Sequence, residues 1–168
     1  MKSQKKLRSL TLYACYGALL FAAKMMLAAL PNVEPVTLMV ILLGSVFGPG
    51  SITAVLIYIF LEVLTWGVNI WVVSYFLLWP ALLFISCLLK KSDSAFAAAC
   101  LGALFGYGFG ALCALTMIPV LGIAGAIAWW QSGVLFDLIH GTSNFILVLL
   151  LYKPLRKLLI RLKESYFS

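Results

Sequence analysis

Asp137, His140 and Asn144 are the residues whose types and spacing most readily support chemistry. At i, i+3 and i+7 they share one face of a helix. A carboxylate three residues before an imidazole can hold a metal ion, or act as a base with its orienting partner. Two such residues are little to build an enzyme on. The chain contains a single histidine, and it lacks both a GxSxG nucleophile motif and a Gly-rich phosphate cradle. The expectation is therefore a binding wall rather than an active site, with no catalytic residue, metal or cofactor assigned to it. An ionisable residue inside a membrane-spanning helix is itself a sign of function.

The element that positions this face is the segment 133–159. After Asn144 it continues as FILVLLLY, with no side chain other than the terminal Tyr152 hydroxyl to satisfy, and then meets Lys153, Arg156, Lys157, Arg161 and Lys163. A basic block after an apolar run marks a cytoplasmic interface. The polar face thus belongs to the outer half of the helix.

Composition sets the frame. With 64% hydrophobic and 10% charged residues, the 168-residue chain lacks the polar residues to cover a soluble domain and reads as an all-α integral membrane protein. One membrane domain, 1–168, is expected: a six-transmembrane-helix bundle with spans at 10–30, 36–47, 52–66, 72–89, 95–117 and 133–152, and both termini cytoplasmic. In that arrangement the basic residues gather at the two termini and at Lys90 and Lys91, with Lys24 apart. The net charge of +7 then faces anionic lipid, and nucleic acid is not an expected partner. The segment 36–47 is short for a crossing, so a four-span topology with a re-entrant hairpin over 36–66 is the alternative. Basic MKSQKKLR before an apolar run resembles a leader, but 10–30 is long enough to span and reads as a retained helix. The four cysteines lie in apolar runs without ligand spacing and read as packing residues.

Sidedness gathers further candidates. Lys24, Glu34, Glu62, Asp137 and His140 all fall in the outer half, with Asn32, Trp66, Asn69, Trp71, Tyr75, Trp79, Trp129, Gln131 and Asn144 at similar depth. These offer flat stacking surface and directional hydrogen bonds to a small, flat, polar molecule. Three carboxylates against one lysine and one histidine favour a cationic or donor-rich ligand. The competing reading is that Lys24 pairs with Glu62 or Asp137 only to remove buried charge. Segment 119–130 is expected to be an uncharged external loop or lid. Ala14, Ala18 and Ala22 form a small-residue stripe on the first helix, fit for packing within the bundle or for docking another subunit.

With the alanine stripe, LPNVEPVTL at 30–38 and FDLIHGTSNFILVLLLYKPL at 136–155, the chain resembles the S components of energy-coupling factor (ECF) transporters. The resemblance implies a multi-pass subunit of a prokaryotic plasma membrane that captures a vitamin or related micronutrient. It implies docking, through the alanine face, on a T subunit driven by two ATPase subunits, and a gating role for the loop Pro31 to Pro35. Riboflavin, thiamine or its pyrimidine precursor, pyridoxine and a cobalamin-related ring all remain as substrates. An intramembrane enzyme using Asp137 and His140, and a stand-alone channel or structural bundle, are the alternatives.

Overall fold

The computed structural model describes residues 2–29 and 33–167, and among these it is all-helical. There are five α-helices: α1 (Lys2–Met26), α2 (Val36–Phe47), α3 (Ile52–Trp66), α4 (Ile70–Ser86) and α5 (Ala95–Phe167). Short 3-10 turns at Pro49–Ser51 and Cys87–Lys91 lead into α3 and follow α4. Four helical stretches are long and apolar enough to cross a membrane, as a multi-pass membrane protein requires.

The expectation of six spans is corrected in two places. The 36–47 segment forms α2, but its 12 residues fall short of the roughly 20 that a crossing needs. The expected fifth and sixth spans, with the expected loop 119–130 between them, fall within one helical element of 73 residues, α5, in which two helices join across a kink. Its only non-helical backbone is at Gly122, with φ 68° and ψ 172°. A positive φ of this kind favours glycine, which has no Cβ to clash. The two arms flanking Gly122 fold back on each other. Tyr107 Oη lies 3.1 Å from Thr142 Oγ1, and a Cβ added at Gly106 would lie 2.7 Å from the backbone of Gly141.

Packing follows from the apolar pattern. Ten of the twelve residues of α2 are buried, so this helix, hydrophobic on every side, lies at the centre against α4 and α5. Helix α1 is its opposite. It packs chiefly on α3, with Gly17 so close that an added Cβ would stand 2.6 Å from the Ala54 carbonyl oxygen. Ala18 and Ala22 face outward and Ala14 is half-buried. Close helix approach is thus supplied by Gly17, while the alanine stripe is left on the outside.

The bundle has two chemically distinct ends. Arg8 Nη1 donates to the Tyr166 carbonyl at 3.3 Å, which joins the start of α1 to the end of α5. Beside them, Lys163 Nζ donates to the Val46 carbonyl at 2.7 Å, capping the last turn of α2. This is the basic end. Lys24 lies sixteen residues beyond Arg8, roughly 24 Å along α1 at the helical rise.

Candidate binding site

At the Lys24 end, a cation from α1 meets a carboxylate from α3. Lys24 Nζ lies 2.5 Å from Glu62 Oε2; the Glu62 side chain is fully buried and that of Lys24 is 18% exposed. Taking two such charges out of water costs several kcal/mol per ion before their attraction is counted. Rings offset part of this cost. Lys24 Nζ stands 5.1 Å from the Tyr75 ring centroid, 5.7 Å from Trp71 and 6.0 Å from Tyr58, distances at which an ammonium is drawn to a π face. Tyr75 Oη adds a contact to Nζ at 3.4 Å.

The rings continue inward. Tyr58 stacks on Tyr75 at 6.4 Å and 18°, and both meet Trp79 edge-on at 5.9 and 5.7 Å. Trp79 leans on Phe105 and Phe109, and Phe109 meets the His140 ring at 5.1 Å. A continuous aromatic wall from α3, α4 and α5 therefore links Lys24 to His140.

The second polar group closes the far side. His140 Nε2 lies 3.4 Å from Glu34 Oε1, near enough for attraction if the ring is protonated, but it has no hydrogen-bond partner among the described residues. Glu34 also lies within electrostatic reach of Glu62, Tyr58 and Tyr75. Asp137 is one turn from His140 and buried, with Oδ1 accepting the Gly110 backbone N–H at 2.9 Å. Besides His140 Nε2, three buried polar atoms of the cluster lack a hydrogen-bond partner among the described residues: Glu62 Oε1, Tyr58 Oη and Trp79 Nε1. Buried polar groups are rarely left in that state.

Of the residues expected from the sequence, Lys24, Glu34, Glu62, Trp71, Tyr75, Trp79, Asp137 and His140 are brought together. Lys24 chooses Glu62 rather than Asp137. Asn144 is buried deeper, where its Nδ2 donates to Thr37 Oγ1 at 3.1 Å and to the Gly102 carbonyl at 3.4 Å, pinning α5 to α2. Asn69 caps α4 by accepting the Val72 N–H at 3.0 Å. Trp66, Trp129 and Gln131 are exposed. Asn32 lies outside the described residues, as does Pro31 of the expected gate. Three members were not anticipated: Tyr58, Phe105 and Phe109. Tyr58 lies four residues before Glu62 on the same face of α3, a spacing that could have revealed it. Phe105 and Phe109 had no comparable signal.

Among the described residues no three of His, Cys, Asp and Glu converge as a metal ion requires. The geometry instead gathers aromatic rings into a buried cluster with acceptors and donors at both ends. Comparison with protein-family models, with curated proteins and with solved structures finds no match.

Proposed function

We propose that this chain is a capture subunit, binding a flat, nitrogen-rich aromatic molecule of the vitamin or micronutrient class at its Lys24 end and handing it to a transporting partner. The observation that carries the reading is the Lys24–Glu62 pair set among rings, with Glu62 Oε1, Tyr58 Oη and Trp79 Nε1 unpartnered around it. A pair that served only to neutralise itself would be expected to have its remaining lone pairs satisfied within the protein. Here one acceptor, one hydroxyl and one N–H are buried among aromatic rings, the combination of groups by which a heteroaromatic ring is recognised. The excess of carboxylates favours a ligand rich in donors.

The partner follows from the resemblance to ECF S components. In this reading Ala18 and Ala22, outward on α1, form the surface that docks on a T subunit driven by two ATPase subunits. The basic end lies in the cytoplasm of a prokaryotic cell and the Lys24 end faces outward, in keeping with the positive-inside rule. A thermal-shift panel of water-soluble vitamins on the purified protein, joined to co-purification with a T subunit, tests both halves. Stabilisation by one vitamin and recovery of the complex are expected; failure of both would sink the proposal.

A further inference from the structure

The basic end contains a concave feature that the capture reading does not use. A cleft of about 620 Å3 lies between Asp93, just before α5, and the C-terminal part of α5, lined also by Lys153, Arg156, Lys157, Ile160 and Arg161. The last five recur at i, i+3, i+4, i+7 and i+8, the spacing of one helical face. Four cations thus share a concavity with one carboxylate. Like charges at i, i+4, here Lys153 with Lys157 and Lys157 with Arg161, oppose helix formation unless an anion relieves them.

Arg156 is built in rather than waving in solvent. Its side chain is 13% exposed, its Nη1 donates to Asp93 Oδ1 at 3.1 Å and its Nη2 to the Lys90 carbonyl at 3.0 Å. Those two bonds fix the guanidinium plane. The remaining Nε is buried with no partner among the described residues. Asp93, 76% exposed, neutralises only one of the four charges.

We infer that this cleft binds a phosphate-bearing anion. A phosphate offers several oxygens to a fixed guanidinium and to lysine point charges together, whereas one carboxylate would leave most of the charge unmet. The cleft has the volume of a small-molecule site, larger than a bare phosphate needs. Two sources share this chemistry: the headgroup of an anionic phospholipid and a soluble phosphate. Leu158 and Leu162, exposed on the same stretch of helix, put apolar surface next to the cations, and basic pockets at such boundaries bind anionic headgroups.

The test uses the full chain in detergent. Native mass spectrometry with phosphatidylglycerol and phosphatidylcholine measures selective retention, and thermal shift with millimolar inorganic phosphate measures the soluble source. Both are repeated on Lys157→Gln/Arg161→Gln, whose positions are exposed, and on the charge-preserving Lys157→Arg/Arg161→Lys. Selective retention of phosphatidylglycerol, reduced at least about tenfold in the glutamine variant and kept in the charge-preserving one, supports the site with a lipid source. Stabilisation by inorganic phosphate with the same variant pattern, and without lipid selectivity, supports it with a soluble source. Neither effect in the wild type, or either effect undiminished in the glutamine variant, overturns it.

Discussion

Lys24 and Lys157 bear the same charge at opposite ends of the bundle and meet different surroundings. Lys24 is enclosed by Glu62, Trp71, Tyr58 and Tyr75, whereas Lys157 is exposed beside three other cations on the rim of a cleft. In the first case charge is scarce, mixed in sign and desolvated, so each group depends on a specific neighbour. In the second it is plentiful, mostly of one sign and, apart from Arg156, hydrated, so attraction does not depend on any one lysine. The first arrangement suits selection of one molecule by shape and hydrogen bonding; the second suits attraction of a class of anions.

Substitutions at the two ends sharpen the contrast. Glu62→Ala should cost the most, about 3–5 kcal/mol, because it leaves a buried ammonium unpaired; thermal unfolding in detergent measures it, and a change as small as that at a surface site would break the comparison. Arg156→Ala, at the basic end but mostly buried, should cost about 1–2 kcal/mol through loss of its bonds to Asp93 and Lys90. Removing both partners at once, in Lys24→Met/Glu62→Met, should leave stability within about 1 kcal/mol of the wild type or raise it. Retained folding with lost ligand binding in that variant separates a functional pair from a structural one. Lys157→Gln should change stability by no more than about 0.5 kcal/mol. Ala18→Trp should likewise leave stability within about 0.5 kcal/mol while abolishing recovery of a T-subunit complex; a melting point lowered along with docking would assign Ala18 to internal packing.

The residues that could be read from the sequence are those whose placement follows from charge. Lys24, Glu34, Glu62 and His140 were assigned to one end by the positions of the other basic residues, and they do meet there. Tyr58 was missed because a tyrosine in an apolar run looks like core until its i, i+4 relation to Glu62 is noticed. Asn69 and Asn144 show a related ambiguity: a polar side chain at the right depth can also serve the fold, as a cap or a cross-link. At 119–130 Pro119 and two glycines suggest a loop, whereas two helices meet there at a single kinked residue. The backbone there stays helical except at Gly122, and a helix satisfies its own hydrogen bonds, as an apolar setting demands. The alanine stripe could be found by spacing, but its direction could not; it took the contact between Gly17 and Ala54 to turn it outward.

The central claim is that the Lys24 end holds a ligand. Its most direct test is mass spectrometry of the small molecules carried through purification by the wild type and by Lys24→Met/Glu62→Met, prepared in parallel. An aromatic, nitrogen-containing compound present in the wild type at near one per chain and absent from the folded variant is the expected result. Indistinguishable small-molecule spectra from the two would contradict the account.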